Sequence, residues 1–339
     1  ATMSPIEWLS TTAGKVVFGA TTALCGLAAL LFGIFAYNRL TLGRCKSKNR
    51  MDGKTVVITG ANTGIGYETA KELASRGARV ILGCRNTQKA EAAVDQLVAD
   101  TRNSKISWKL LDMSSMESVR TFAMEILKAT DSIHVLINNA GIAGPKERCI
   151  TEEGLEVTFA TNYLGHFLLT NLLLPVLKSS SPSRIISLSS VAYMFGNIDF
   201  ADLQSMSGKF VAGKVYSNSK LATVLFTTEL ARRLDGTGVT ANVLHPGIVN
   251  TPLSRSLTKV GEPVFGILST IFGVKSLVEG AQTSIHLAVA DEVSNVSGAY
   301  FVDCKPKALS GRGRDPAAAT KLWEASCRLV GIETRDLVS

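Results

Sequence analysis

The strongest constraint on the fold is a short apolar strand that runs directly into a glycine turn and then into a helix. Val56 to Thr59 is a β-branched run of the length expected for a strand buried on both faces of a parallel sheet. Gly60, Gly64 and Gly66 follow where the backbone must approach a phosphate and the helix must pack on the strand. Strand, turn and helix together predict a nucleotide-binding unit.

The alternation of strand and helix continues along the chain. Further candidate strands run into Asp112, Asn138, Ser190 and the segment after His245, with helix-like segments between them. This spacing predicts a parallel sheet covered by helices on both faces, with ligands at the carboxyl ends of the strands. The predicted fold class is α/β, a doubly wound parallel sheet of the Rossmann type, in one catalytic domain over residues 53–339.

A long apolar segment precedes this domain. Val16 to Tyr37 contains no charged residue, and about 20 apolar residues suffice for a helix to cross a bilayer. The segment is too long for a typical signal-peptide core. We therefore predict a short tail over residues 1–15, a transmembrane helix over 16–37 and a basic linker over 38–52.

Much of the formal net charge of +8 lies in that linker. Its cations are Arg39, Arg44, Lys46, Lys48 and Arg50. The positive-inside rule places this flank and the catalytic domain in the cytosol. We expect the endoplasmic reticulum membrane, with a mitochondrial membrane as the alternative. Because the charge is explained by a membrane flank, we expect the bilayer as a partner and no nucleic acid.

The cysteines and histidines lack the spacing of a metal site. Six cysteines contain no CxxC pair, and four histidines show no metal-ligand spacing. We expect reduced thiols, in keeping with the cytosol, and no bound metal.

Several motifs resemble the short-chain dehydrogenase/reductase superfamily, and this resemblance covers nearly all of residues 53–331. They are "TGANTGIG" from Thr59, "NNAG" from Asn138, "YSNSK" from Tyr216 and "HPGIVNT" from His245. With "GCR", "NYLGHFLLTNLLLP" and "YFVDCK" they are similar to the membrane-anchored, NADP(H)-dependent retinol dehydrogenases. The resemblance also allows a homodimer.

The resemblance and the glycine turn together imply a set of residues that hold the cofactor. They are Gly60, Asn62, Thr63, Gly64, Ile65, Gly66, Arg85, Asp112, Asn138, Ala140, Gly141, Tyr216, Lys220, Pro246, Gly247, Val249 and Thr251. The carboxylate that would bind the ribose hydroxyls of NAD is missing, because Cys84 stands at the end of the second strand and Arg85 follows. A guanidinium without a neighbouring carboxylate favours NADP(H), whose 2′-phosphate it can pair with.

Four residues form the implied catalytic set. Tyr216 would donate a proton to a carbonyl oxygen, and Lys220, one helical turn away, would favour the phenolate. Ser190 would bind the substrate oxygen, a choice over Ser189 that rests on the family pattern. Asn162 would hold a water that links Lys220 to solvent.

The substrate is the least constrained part of the prediction. The segment 252–277, with its apolar stretch "PVFGILSTIFGV", is expected to be a lid over a lipophilic pocket or an interfacial helix, with ordinary core packing as the alternative. We expect an NADP(H)-dependent oxidoreductase that converts a lipophilic aldehyde or ketone to its alcohol, with all-trans retinal as the first candidate. Long-chain lipid aldehydes and steroid ketones remain alternatives. A non-catalytic NADP(H)-binding scaffold is the alternative from another class.

Overall fold

The strands of the protein lie in one sheet. The structure is a computed structural model that describes residues 5–249 and 274–333. Its strands are β1 (Thr55–Thr59), β2 (Arg79–Cys84), β3 (Ile106–Leu110), β4 (Val135–Asn138), β5 (Ser183–Leu188), β6 (Val239–His245), β7 (Tyr300–Val302) and β8 (Lys305–Lys307). Their order in the sheet is β3-β2-β1-β4-β5-β6-β7-β8. Strands β1 to β7 pair in parallel, and β8 is antiparallel to β7. The predicted doubly wound sheet is confirmed.

Helices cover both faces of this sheet. After two N-terminal helices, α1 (Pro5–Ser10) and α2 (Thr12–Thr41), the helices of the sheet-bearing unit are α3 (Gly64–Ser75), α4 (Thr87–Thr101), α5 (Met116–Ala129), α6 (Val157–Phe159), α7 (Gly165–Ser179), α8 (Ala212–Arg233), α9 (Leu277–Val289) and α10 (Pro316–Val330). One apolar core contains residues of α5, α7, α8 and α10, and a second contains residues of α3, α4 and α9. The sheet therefore separates two cores.

Strand β1 shows why the sequence here is apolar without alternation. Val57 belongs to the first core, whereas Val56 and Ile58 belong to the second, and all three are fully buried. Successive side chains of a strand point to opposite faces, so a strand with helices on both sides needs apolar residues at every position. This arrangement fixes β1 at the centre of the sheet and places the turn after Thr59 at its carboxyl edge.

The N-terminal helices belong to a separate compact unit from the sheet. The unit that holds the sheet begins at Gly43. Helix α2 is 30 residues long, and at 1.5 Å per residue it measures about 45 Å. Its part Thr12–Tyr37 is long and apolar enough to cross a membrane. The single N-terminal apolar helix that the sequence predicts is present as a candidate span.

Residues 43–52, which the sequence predicts as part of a linker, lie against the sheet-bearing unit. Met51 is buried, and the Cys45 amide donates to Gln282 Oε1 at 3.0 Å. Arg76 donates to the carbonyl oxygens of Ser47 and Asn49, each at 3.0 Å. Backbone polar groups of this segment are therefore tied to helices α3 and α9.

Candidate functional site

A cavity of about 520 Å³ lies at the carboxyl ends of the parallel strands. The predicted residues that line it are Gly60, Asn62, Thr63, Gly64, Ile65, Gly66, Arg85, Asp112, Ala140, Gly141, Ser190, Tyr216, Lys220, Pro246, Gly247 and Val249. They come from the turns after β1, β2, β3, β4, β5 and β6 and from helices α3 and α8, so parallel strand order brings distant motifs to one edge.

The glycine turn has little room for side chains where it packs and is open where it faces the cavity. Gly60 has φ +66°, and a Cβ there would lie 2.9 Å from Cα of Ala140. A Cβ at Gly66 would lie 2.5 Å from Nδ2 of Asn139. At Gly64 no atom lies within 4 Å of the Cβ position, and this residue begins α3. The free amides of a helix N-terminus therefore face open space, as an anion site requires.

The side chain of Thr59, the last residue of β1, binds the turn that follows β4. Its Oγ1 accepts the amides of Asn139 and Ala140, each at 2.9 Å, and lies 2.9 Å from Nε2 of His166. A hydroxyl has one proton and two acceptor sites. Since both acceptor sites are taken, Thr59 donates its proton to Nε2, and His166 carries its proton on Nδ1.

His166 in turn reaches the backbone of Asn162. The Nδ1 atom lies 3.2 Å from the Asn162 carbonyl oxygen, to which it donates in the tautomer just derived. Burial lowers the pKa of His166 to about 3, so the ring is neutral at physiological pH. Neither Thr59 nor His166 is predicted from the sequence as a site residue. A threonine in a strand and a histidine in an apolar helix are common, and only the contact between them shows their role in the structure.

Asn162 lies in a π-helical turn, Ala160–Leu164, directly before α7. Its Oδ1 accepts the Ile142 amide at 2.8 Å, and its Nδ2 donates to Ile142 O at 2.9 Å and to Ser219 Oγ at 3.0 Å. The side chain therefore joins the turn after β4 to helix α8. It does not line the cavity itself, although Gly141, which does, lies beside it.

Tyr216 and Ser190 meet at the cavity wall, and their side chains interact. Ser190 Oγ accepts the Ala192 amide at 3.2 Å, which leaves its proton for donation. Burial raises the pKa of Tyr216, and the hydrogen bond from Ser190 opposes that rise. Ser189 Oγ instead donates to the Lys220 carbonyl oxygen at 2.8 Å. The hydroxyls of the two neighbouring serines therefore have different partners.

Lys220 is buried beside the same wall. Its Nζ donates to the carbonyl oxygen of Leu188 at 3.1 Å and lies 5.8 Å from the centre of the Tyr216 ring. Burial lowers the pKa of Lys220 to about 8. An ammonium carries three protons, so Nζ retains donors beyond the Leu188 contact that the structure describes. The expected lowering of the phenol pKa by this lysine is not the dominant effect, since the pKa of Tyr216 is raised by burial.

At the end of β2 a buried neutral thiol is followed by an exposed cation that lines the cavity. Cys84 is buried, and burial raises the pKa of its thiol to about 11. The Arg85 side chain is 72% exposed, and its Nη1 lies 3.9 Å from Asp112 Oδ2. Asp112 Oδ1 accepts the amide and the hydroxyl of Ser114, at 2.9 and 2.6 Å. The carboxylate is therefore fixed, whereas the guanidinium is loosely held.

Asn138, like Asn162, is a predicted site residue that does not line the cavity. The Asn138 side chain is buried and donates to Thr170 Oγ1 at 2.9 Å, on helix α7. Its neighbour Asn139 lines the cavity instead and donates to the carbonyl oxygens of Thr59 and Gly60. Alternation along β4 separates the two amides. Thr251 lies outside the described residues, as does the part of the predicted lid over residues 252–273.

The cavity is also lined by residues that the sequence does not predict as site residues. They are Gly83, Leu111, Met113, Asn139, Ile142, Thr161, Leu188, Ser189, Val191, His245 and Ile248. Most are apolar residues at strand ends, where the sequence pattern continues that of the core. No group of three potential metal-ligating side chains occurs in residues 5–249 or 274–333.

Comparison with known proteins identifies the family. A family model described as short chain dehydrogenase matches residues 54–260. The chain belongs to the short chain dehydrogenase family. It is an oxidoreductase, and the family and its fold support a nicotinamide cofactor.

Curated relatives and solved structures agree with this assignment. Retinol dehydrogenase 13 from Homo sapiens is 48% identical over 306 residues, 87% of this chain and 89% of its own length. Retinol dehydrogenase 14 from Homo sapiens is 49% identical, over 83% of this chain and 88% of its own length. The resemblance to the retinol dehydrogenase branch is thereby confirmed.

Among solved structures, an uncharacterised protein from Mycobacterium paratuberculosis is similar with a TM-score of 0.70 and 34% identity, covering 86% of this chain and 98% of its own. A short chain dehydrogenase from Escherichia coli CFT073 complexed with NADPH has a TM-score of 0.61 at 23% identity, covering 76% of this chain and 99% of its own. That identity shows the fold alone.

Proposed function

We propose that the protein is a membrane-tethered, NADP(H)-dependent reductase of lipophilic carbonyl compounds, with all-trans retinal as its principal substrate. The observation that carries the proposal is the meeting of Tyr216, Ser190 and Lys220 at one cavity wall. The retinoid assignment is supported by the names of relatives that are 48% and 49% identical. Long-chain aldehydes and steroid ketones are the competing substrates, and a non-catalytic scaffold has no use for a buried acid and a buried cation at the same wall.

The residues around the cavity fit a nicotinamide dinucleotide. The open backbone at Gly64 and the N-terminus of α3 would hold the pyrophosphate, and Asp112 would bind near the adenine. Lys220, with its remaining donors, would hold the ribose next to the nicotinamide. Pro246, Gly247 and Val249, with Thr251 outside the described residues, would flank the nicotinamide ring. When bound, the reduced nicotinamide supplies a hydride to the carbonyl carbon.

The preference for NADP(H) over NAD(H) is supported by the end of β2. A thiol whose pKa is raised to about 11 is neutral at pH 7, so Cys84 presents no charge to a 2′-phosphate. The exposed Arg85 guanidinium can leave its 3.9 Å contact with Asp112 and pair with that phosphate. In NAD(H), which lacks this phosphate, the ribose hydroxyls need a hydrogen-bond acceptor. Neither Cys84 nor Arg85 supplies a carboxylate for that purpose.

The hydroxyls of Ser190 and Tyr216 would bind the substrate oxygen and stabilise the alkoxide that forms on it. Because an alkoxide is a far stronger base than a phenolate, the proton of Tyr216 moves to it readily. The pKa of Tyr216 is raised by burial, so the phenol stays protonated at neutral pH and is ready as an acid. The ammonium of Lys220 then stabilises the phenolate that is left, and the Asn162 carbonyl, beside His166, would hold the water that returns the proton.

The apolar helix α2 would span a membrane and keep the catalytic unit on the cytosolic side, where NADPH is supplied. Its candidate span Thr12–Tyr37 is followed by the cation-rich segment 39–50, which the positive-inside rule assigns to the cytosol. The endoplasmic reticulum is the proposed location. A homodimer stays a prediction.

The test is NADPH oxidation by the purified full-length protein, followed by absorbance, with three carbonyl compounds. All-trans retinal, a saturated long-chain aldehyde and a steroid ketone should be compared by kcat/KM. We expect the largest value for retinal. A larger value for either alternative would replace the substrate assignment, and no turnover with any carbonyl while NADPH still binds would favour the scaffold.

A further inference from the structure

A protruding apolar turn lies at the mouth of the cavity. It is the short 3₁₀ helix Val191–Phe195, which follows β5 and Ser190. Val191, Met194 and Phe195 are 42%, 53% and 78% exposed. Val191 also lines the cavity, as does Ile248, which is 53% exposed. Exposed apolar side chains that are grouped rather than scattered indicate an interaction surface.

The turn is held rigidly, so that its apolar tips stay in solvent. Tyr193 between them is buried, and its hydroxyl lies 3.2 Å from Ser310 Oγ and accepts the Ser310 amide at 3.1 Å. The amides of Tyr193 and Gly196 donate to the carbonyl oxygens of Ser190 and Tyr193, each at 3.0 Å. A frame of this kind points Met194 and Phe195 outward at a fixed place beside the cavity.

A cation-rich segment lies beside the apolar tips. The segment from Lys305 to Arg314 contains four basic residues and no carboxylate, and all four are exposed. Arg312 donates to the carbonyl oxygen of Gly196 at 3.3 Å, directly beside Phe195. Burial is the main cause that lowers the pKa of His245, a lining residue; Lys275 and Lys307 lower it further, and Asp303 opposes the shift. The positive segment therefore borders the same mouth as the apolar turn.

We infer that this surface docks onto an anionic lipid bilayer. Met194 and Phe195 would enter the headgroup and acyl boundary, and Lys305, Lys307, Arg312 and Arg314 would bind acidic headgroups. The combination of apolar tips with a neighbouring cation-rich segment matches the chemistry of an anionic membrane surface and not that of a purely apolar protein partner. Docking would turn the apolar side of the mouth, Val191 and Ile248, toward the lipid.

This contact is distinct from the transmembrane helix, and it deepens the proposed function by giving a lipid-dissolved substrate a direct entry to the cavity. Its test, however, uses no turnover. A full-length protein that docks but reduces no carbonyl would overturn the proposed activity alone, and an active protein that does not dock would overturn this inference alone.

The experiment places an environment-sensitive fluorophore on the turn. Exposed Cys25 and Cys149 are first changed to serine, and Met194→Cys is then labelled. The matched control is Met124→Cys on α5, because Met124 is 54% exposed and α5 packs beside β3, at the opposite edge of the sheet. Both full-length proteins are reconstituted into phosphatidylcholine vesicles with and without phosphatidylserine, and into matching vesicles that carry a quencher on the acyl chain.

With phosphatidylserine, we expect a blue-shifted emission and strong quenching at position 194, and neither at position 124. Each cation at an anionic surface strengthens binding about fivefold, so Arg312→Gln with Arg314→Gln should lower the docked-to-undocked ratio about 25-fold. The charge control, Lys89→Gln with Lys105→Gln, should leave it unchanged. Equal emission and equal quenching at both positions would overturn the inference. A blue shift at position 194 without lipid quenching, increasing with protein density, would replace the bilayer by a second copy of the chain.

Discussion

The hydroxyl of Thr59 donates its proton to Nε2 of His166 across 2.9 Å, because both of its acceptor sites are taken by the amides of Asn139 and Ala140. One side chain thereby ties the strand before the glycine turn to the turn after β4 and, through His166, to the backbone of Asn162. The turns after β1 and β4 and the segment around Asn162 share this buried connection.

Replacing Thr59 should therefore affect cofactor binding as well as stability. Thr59→Val keeps the shape but leaves two buried amides unsatisfied, so we expect a loss of unfolding free energy of about 2 kcal/mol or more. NADPH affinity should fall together with it. Thr59→Ser retains the hydroxyl and should stay close to wild type in both. Chemical denaturation and NADPH titration check this, and equal behaviour of the valine and serine variants would contradict the hydrogen-bond assignment.

The role of Tyr216 predicts a loss of turnover without a loss of cofactor. Tyr216→Phe keeps the ring and removes the acid, so kcat should fall about 10²–10⁴-fold while the NADPH dissociation constant changes little. Tyr163→Phe is the matched control, since that buried hydroxyl contacts Ser326 in the core and lies away from the cavity. Steady-state kinetics and fluorescence titration give both quantities. A residual activity of about one tenth in Tyr216→Phe would remove the tyrosine from the role of proton donor.

Lys220 predicts the pH dependence of reduction. Burial lowers the pKa of this ammonium from its ordinary value to about 8, so the cation is present below that pH and is lost above it. The phenol of Tyr216, whose pKa is raised, stays protonated through the same range. We expect kcat for reduction to be nearly constant from about pH 6 to 7 and to decline above about pH 8. His166 adds no ionisation in this window, because its pKa is near 3. A pH profile that is flat to pH 10 would contradict the assignment.

Arg85 predicts the coenzyme preference. A charge-assisted hydrogen bond contributes about 1.5–3 kcal/mol, so Arg85→Ala should weaken NADPH binding about 10- to 150-fold and leave NADH binding nearly unchanged. Adding Cys84→Asp should move the preference further toward NADH, because a carboxylate can accept the ribose hydroxyls. Lys105→Ala, an exposed cation at the opposite end of strand β3, is the control. A constant ratio of the two dissociation constants in the double variant would show that the 2′-phosphate is bound elsewhere.

The sequence predicts the sheet because β1 is apolar at every position and the glycine turn follows at a fixed place. It predicts the cavity residues Tyr216, Ser190 and Arg85 because motif and strand order put them at one edge. It does not predict which amide of the pair Asn138 and Asn139 faces the cavity, since that depends on where β4 ends. Strands β7 and β8 span three residues each, too short for a periodic signal.

Other features of the site cannot be predicted from the sequence because they depend on contacts between distant segments. Nothing in the residues around His166 indicates that its partner is a hydroxyl 107 positions earlier. The pKa of Tyr216 was expected to be lowered by the neighbouring lysine, whereas burial by the whole fold raises it. Likewise, the sequence does not indicate that Phe195 is exposed while the nearby Tyr193 and Gly196 are buried.

The N-terminal helix predicts how the protein is held to its membrane. The candidate span Thr12–Tyr37 is followed by cations, so the helix should cross the bilayer with the catalytic unit in the cytosol. Full-length protein in sealed microsomes should resist extraction by alkaline carbonate, and external protease should digest its catalytic unit.

Deleting residues 1–38 should convert the protein to a form that alkaline carbonate releases. Because the cations at Lys305–Arg314 and the apolar tips at Met194 and Phe195 remain, the shortened protein should still bind anionic vesicles in a salt-sensitive manner. Its NADPH affinity should be retained, since the first strand begins only at Thr55. Protection of the full-length catalytic unit from protease would reverse the topology, and release of the full-length protein by carbonate would exclude the transmembrane anchor.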